Sequence, residues 1–105
     1  MSFDSYQVMN DMLVAMQTSL ADDWQEASGY AQQLLIQHKE MMFELAKLRL
    51  EGELTEQELQ NELIDEQETI AAELLALQVI GKASAQRAAQ AAMNVLIRAV
   101  RTAMI

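Results

Sequence analysis

The sequence predicts an all-α fold: an antiparallel helical hairpin or bundle of three to four helices that is completed by dimerisation. The chain has no proline and only three glycines in 105 residues. Residues that favour helix, chiefly alanine, leucine, glutamine, glutamate and methionine, are abundant. Apolar residues recur every three or four positions, as they do on one face of an α-helix. At this length we expect one domain, residues 1–105, with a single core.

Helix start and stop signals place the helices at about 3–20, 22–51, 56–80 and 85–104. The first break falls within residues 18–23, because Ser19, Asp22 and Asp23 have side chains that cap helix N-termini. A continuous helix through this break is the alternative, and it would form a rod of about 73 Å. Two shorter helices cannot cover such a rod, so it would need a partner chain.

A tight turn is predicted between the second and third helices. Lys47 and Arg49, followed by Gly52, are typical of a helix C-terminus. Thr55 and Glu58 have the spacing of a capping box, which opens the next helix. These two helices should therefore form an antiparallel hairpin.

The last break is predicted at Gly81 and Ser84, where glycine ends the third helix and serine caps the fourth. The third helix is apolar on nearly all sides near its end, so we expect it to be buried there as far as Ile80. The fourth helix has an apolar stripe made mostly of alanine, which favours close helix packing. Its members are Ala85, Ala88, Ala89, Ala92, Val95, Leu96, Ala99 and Ala103.

Apolar residues of the first two helices form a coiled-coil-like seam. The steps are three and four, with one additional step of four between Leu20 and Trp24, where the break is predicted. We expect this seam to hold two copies of the chain together. Its members are Met9, Leu13, Met16, Leu20, Trp24, Ala27, Ala31, Leu34, His38, Met41, Leu45 and Leu48.

Charge is strongly polarised along the chain. Residues 1–73 carry all 16 acids and three of the seven bases, a net charge of −13, whereas the last 32 residues carry four bases and no acid. The overall charge of −9 opposes direct binding to nucleic acid. Arg87, Arg98 and Arg101 lie opposite the alanine stripe, so we predict that they contact a protein partner in a salt-sensitive way.

His38, the only histidine, lies in the apolar stripe of its helix, and Glu66 lies in the apolar stripe of the facing helix with Glu73 at its margin. An antiparallel hairpin brings the three side chains close together. They form either a polar pair that fixes helix register or a pH switch, or, when doubled across a dimer, a divalent metal site. The Glu-x-x-His units of ferritin-like di-iron bundles are absent.

Eight methionines are many for this length, and Met9, Met12, Leu13 and Met16 share a face of the first helix. Because methionine side chains adapt to varied surfaces, this stripe is a candidate partner-binding surface. An ordinary core is the alternative explanation.

These observations favour a non-enzymatic interaction protein, such as a small adaptor, chaperone or accessory protein, that acts as a homo-oligomer. A metal-binding bundle is the first alternative, and an acidic mimic that binds a basic nucleic-acid-handling protein is the second. Apart from a divalent metal, no cofactor is expected. The longest uncharged stretch, residues 27–37, is too short for a membrane span, which needs about 20 residues. The absence of cysteine and of a basic leader favours the cytoplasm.

Overall fold

The computed structural model describes residues 3–104, which form four α-helices and no strand. We call the helices α1 (Ser5–Leu20), α2 (Trp24–Leu50), α3 (Glu56–Leu75) and α4 (Lys82–Ala103). A 3₁₀ turn, Ala21–Asp23, joins α1 to α2. The all-α prediction is confirmed. Residues 1, 2 and 105 of the predicted domain lie outside the described range.

Each helix runs antiparallel to the one before it, and α1 closes the ring by packing against α4. The start of α1 lies beside the middle of α2, where the Phe3 and Phe43 rings meet edge to face with centroids 5.9 Å apart. The start of α3 lies beside the end of α4, where Glu56 meets Arg101. The result is an up-down-up-down four-helix bundle of 40 × 23 × 19 Å.

α1 and α2 are separate helices, so the alternative of one long rod is wrong. Ala21 has backbone angles of φ 51° and ψ −115°, which turn the chain sharply at the predicted break. A non-glycine residue in such a sparsely populated backbone region costs about 1–3 kcal/mol. The turn allows Met16 and Leu20 of α1 to be buried, which offsets that cost.

The turn between α2 and α3 has the predicted chemistry. Gly52 has a φ of 82°, a region that glycine enters without steric cost. The Thr55 hydroxyl accepts a hydrogen bond from the Glu58 backbone N–H at 3.1 Å, and the Glu58 carboxylate accepts one from the Thr55 N–H at 2.9 Å. This capping box fixes where α3 begins.

The predicted boundaries between α3 and α4 are wrong. α3 ends at Leu75 instead of extending to residue 80, and Gln78 has a left-handed φ of 62°. α4 begins at Lys82 with Gly81 at its N-cap, so Ser84 lies inside the helix. Ile80 is buried and anchors the connection, whereas Leu75 and Val79 are partly exposed. The apolar run at residues 70–80 therefore includes an exposed turn.

One continuous core fills the bundle, and the alanine stripe of α4 lies within it. α1 and α4 share the most extensive helix contact, because small side chains allow their backbones to approach closely. Within residues 3–104, every buried side chain is apolar. The large fully buried side chains are Met12, Met16, Leu34, Leu35, Met42, Leu59, Leu63, Ile70, Leu74, Met93, Leu96 and Val100.

Many side chains of the seam predicted to join two copies are buried in the core of a single chain. Ala27, Ala31 and Leu34 are fully buried, and Leu45 is nearly so, although Met41 is 55% exposed. The chain folds back at residues 21–23 and again at 51–55, so in this bundle the buried members of the seam are not available to a second copy. Dimerisation stays a prediction, and two chains folded in this way would have to join through side chains that remain outside the core.

Candidate functional site

His38 lies between two carboxylates of α3, as the hairpin register predicts. Its Nδ1 is 3.0 Å from Oε2 of Glu66, and its Nε2 is 3.1 Å from Oε1 of Glu73. Glu66 and Glu73 are seven residues apart, so they share one face of α3 at a separation of two turns. The three side chains are 17–33% exposed, which leaves the cluster at the margin of the core.

The two contacts of His38 differ in geometry. Nε2 and Glu73 form a hydrogen bond. Nδ1 and Glu66 are equally close, yet Oε2 of Glu66 is buried without a hydrogen-bond partner. Nδ1 and Oε2 of Glu66 are therefore in close contact without the alignment of a hydrogen bond.

His38 links α2 to α3 through contacts on both edges of its ring. One ring nitrogen forms a hydrogen bond with Glu73, and the other lies beside Glu66.

Within one chain, the predicted metal ligands do not surround a common point. Glu66 and Glu73 lie beside different nitrogens of the His38 ring, whereas a metal ion binds one of these nitrogens and the carboxylates must reach the ion at that position. Among residues 3–104, no group of three His, Cys, Asp or Glu side chains is arranged to hold a metal ion. The hairpin register brought the predicted residues together as a polar cluster that joins α2 to α3, and a metal site doubled across a dimer stays a prediction.

Replacing His38 with alanine should lower the free energy of unfolding by about 1 kcal/mol, because the hydrogen bond to Glu73 and the polar contact beside the buried Glu66 Oε2 are both lost. Partial solvent access keeps this loss at the low end of the usual range. Urea unfolding of the His38→Ala and Gln37→Ala variants measures it, since Gln37 is exposed on the same helix turn. Equal losses in the two variants would show that the cluster does not stabilise the bundle.

The predicted methionine surface is divided between the core and the exterior. Met12 and Met16 are fully buried, so neither side chain is available to a partner, and this part of the prediction is wrong. Met9 and Leu13 are only partly buried. Together with Ile36 they line a groove between α1 and α2.

We use the term α1/α2 face for the surface formed by Tyr6, Met9, Leu13, Ile36 and Phe43. Tyr6, Met9 and Leu13 share one side of α1, and the side chain of Tyr6 is 89% exposed. Ile36 and Phe43 share one side of α2, and Ile36 is 51% exposed. The two polar residues that line the groove, Asn10 and Gln32, are uncharged. The face is therefore apolar at its centre.

Sequence reasoning missed the α2 half of this face. The signal was a second seven-residue series on α2, Gly29, Ile36, Phe43 and Leu50, adjacent to the stronger buried seam. A spacing of seven turns each position by about 20° relative to the one before it, so neighbouring members of the series share a side of the helix. The longer and more regular first seam concealed this series.

The predicted basic surface is partly compensated within the chain. Arg101 donates hydrogen bonds to both carboxylate oxygens of Glu56, at 2.6 and 3.1 Å. This hydrogen-bonded pairing lowers the pKa of Glu56 and raises the pKa of Arg101. Arg101 therefore pairs at the surface with an acid of its own chain, and its contact with a protein partner stays a prediction.

Arg87 and Arg98 lie in different settings from Arg101. Arg87 donates a hydrogen bond to the Ser84 hydroxyl at 3.2 Å, one turn earlier on α4. Arg98 lines the groove between α4 and α1 together with Asp4 and Asp11. Asp4, which caps α1, and Asp11, which lies within α1, therefore face α4 and not the α1/α2 face.

In comparisons with known proteins, the chain matches no family model, no curated protein and no solved structure. No helix within residues 3–104 combines the length and the apolar character needed to cross a membrane.

Proposed function

We propose that this chain is a non-enzymatic protein-interaction module, and that the α1/α2 face is its contact surface. The observation that carries the proposal is a face on which Tyr6 and Ile36 are exposed beside Met9, Leu13 and Phe43, which are only partly buried. Tyr6 and Ile36 are 89% and 51% exposed. Large exposed side chains of this kind, grouped on one face, are typical of surfaces that bind other proteins.

The composition of the face supports this function. Tyrosine, phenylalanine and methionine are enriched at the centres of protein interfaces, whereas charged residues are depleted there. Tyr6, Met9 and Phe43 provide those three residue types, and the residues that line the groove are uncharged. Lys39 and Glu40 lie one turn from Ile36 on the same side of α2, so charged side chains flank the apolar centre of the face.

The two alternatives have less support. The metal-binding alternative depends on His38, whose nitrogens face carboxylates on opposite edges of the ring. The acidic-mimic alternative depends on the charge of the chain alone. The α1/α2 face adds the exposure of Tyr6 and Ile36 and the uncharged lining of the groove to the argument for an interaction module.

A photo-crosslinking amino acid at position 36 tests the proposed contact surface, and the same amino acid at position 64 provides a matched control. Ile64 is 48% exposed on α3, on a different side of the bundle. In cells that naturally produce the protein, we expect covalent protein adducts from position 36 and few or none from position 64. Equal yields at the two positions, or none at either, would refute the α1/α2 face as the contact surface.

A further inference from the structure

We infer that two copies of this chain form an exchanged dimer, in which α1 of each copy packs on α4 of the other and the turn at Ala21 is the hinge. We call the four-helix bundle of a single chain the closed bundle. In the exchanged dimer, residues 5–50 of each chain form one helix of roughly 69 Å. α1 then takes, in the second bundle, the place that it has in its own closed bundle.

The hinge is a single strained residue. Ala21 has a φ of 51° and a ψ of −115°, whereas Leu20 and Asp23 on either side of it have right-handed helical angles. The angles of Ala21 are close to those of the first central residue of a type II′ turn, a position that glycine dominates. Because alanine is also the residue that most favours helix, release of Ala21 removes strain and joins α1 to α2.

No side chain fixes the helix ends at this turn. The 3₁₀ turn and α2 both begin without a side-chain hydrogen bond at the N-cap, although Asp23 occupies the N-cap of α2. Residues 5–50 contain no proline and one glycine, Gly29, which lies outside the turn. In a continuous helix, the last carbonyl groups of α1 accept hydrogen bonds from the first N–H groups of α2. Opening the hinge therefore adds hydrogen bonds and also relieves strain.

Exchange preserves the core. Met12, Met16 and Leu20 are buried, and α1 makes its most extensive contact with α4. When a chain straightens at Ala21, these side chains leave their own core, and α1 of the second copy fills the same space with the same side chains. The contacts of the closed bundle are re-formed apart from those of the turn, which makes exchange of an identical element a low-cost route to a dimer.

The other two connections do not provide such a hinge. Gly52 adopts its positive φ without steric cost, and the capping box of Thr55 and Glu58 fixes the start of α3. Gln78 has a φ of 62°, but it lies in a longer connection that buried Ile80 anchors to the core. Only at Ala21 does one strained residue separate two helices within residues 3–104.

The charges at the junction oppose exchange at low salt. The two long helices pass one another at the hinge, which brings Asp22 and Asp23 of both copies close together, and like charges repel. Salt screens such repulsion beyond about 10 Å at 0.1 M. The exchanged dimer should therefore become more abundant as salt rises, whereas a dimer held by ion pairs would become less abundant.

Exchange goes beyond the proposed function because it changes the valency of the chain. Each α1/α2 face of the exchanged dimer combines α1 of one chain with α2 of the other, so one assembly presents two faces. Two linked faces bind a dimeric or repeated partner more tightly than one face does. A chain that does not exchange would still have one α1/α2 face, so failure of this inference leaves the proposed function standing.

Covalent crosslinking distinguishes exchange from side-by-side contact. The wild-type chain has no cysteine, so Gln7→Cys and Thr102→Cys in one chain introduce its only thiols, at exposed positions that line the groove between α1 and α4. The variant is refolded from urea at high protein concentration, and the dimer is isolated by size exclusion. A short bismaleimide should link the two chains of this dimer to each other, whereas it should link positions 7 and 102 within one chain of the monomer.

Chains with Gln7→Cys alone or Thr102→Cys alone are the controls, and neither should give linked chains. A dimer in which the links stay within single chains would consist of two closed bundles and would overturn the inference. Linked chains in the controls to the same extent as in the double variant would indicate a side-by-side contact, with the same consequence. A wild-type chain that refolds only to monomers at every concentration would also overturn it.

Ala21→Gly tests the hinge. After refolding, its ratio of dimer to monomer should be lower by about 100-fold or more, because glycine adopts the angles of the turn without strain and disfavours the continuous helix. Gln78→Gly is the matched control, since it relaxes the other strained residue at the same end of the bundle and leaves the hinge unchanged. This control should keep the wild-type ratio. An Ala21→Gly chain that exchanges as readily as the wild type would overturn the inference.

Discussion

Replacing Ile70 with alanine is expected to lower the free energy of unfolding by about 2–5 kcal/mol. Ile70 is fully buried near the middle of α3, between Leu63 and Leu74, which are also buried. The loss has two parts: the transfer free energy of the removed carbons, and the cavity that rigid neighbouring helices leave unfilled. A chain of this size has a total stability of about 5–15 kcal/mol, so one substitution removes a large part of it.

Ile64→Ala is the matched control, because it makes the same chemical change on the same helix. Ile64 is 48% exposed, whereas Ile70 is fully buried. Urea unfolding at one fixed protein concentration should give a loss below about 1 kcal/mol for the control. A comparable loss in the two variants would mean that the buried face of α3 is assigned incorrectly.

The hairpin between α2 and α3 was predictable because its signals are local. Gly52, Thr55 and Glu58 act through backbone angles and hydrogen bonds that involve neighbours a few residues away. Once that turn is fixed, helix geometry alone brings His38 level with Glu66 and Glu73. The sequence could therefore predict which three residues form this cluster. It could not predict that the two carboxylates approach opposite edges of the His38 ring.

The partners of the long seam were not predictable, because apolar periodicity shows which side of a helix is buried and not what buries it. Met12 and Met16 have the spacing expected for a contact with another chain or with the same chain. Whether these methionines contact another chain or their own chain depends on the turn at Ala21. Its positive φ is one that alanine rarely adopts. Tertiary packing imposes that conformation, and no local residue preference indicates it.

The end of α3 shows the same limit. Leucine, alanine and valine at residues 74–79 all continue a helical pattern, and the left-handed turn falls at Gln78 rather than at a glycine. The chain leaves the helix early so that Ile80 can enter the core. Burial of one isoleucine thus outweighs a helical preference spread over several residues.

Ala92→Leu is expected to destabilise the bundle by about 3 kcal/mol, at the upper end of the range for overpacked cores. Ala92 is fully buried at the centre of the alanine stripe, with Ala88 and Ala89 buried beside it. α4 packs more extensively against α1 than against any other helix, so a larger side chain must push the two backbones apart or adopt a strained rotamer. Leucine is slightly less favourable than alanine for helix formation, and that difference is too small to account for such a loss.

Ala83→Leu tests whether close packing, rather than helix propensity, causes this effect. Ala83 lies on the same helix and is exposed, so the added carbons enter solvent and the change in stability should stay within about 0.5 kcal/mol. Thermal unfolding of the two variants at equal concentration provides the comparison. If Ala92→Leu were as stable as Ala83→Leu, the α1–α4 contact would have spare volume. The alanine stripe would then reflect helix propensity rather than a requirement for close approach.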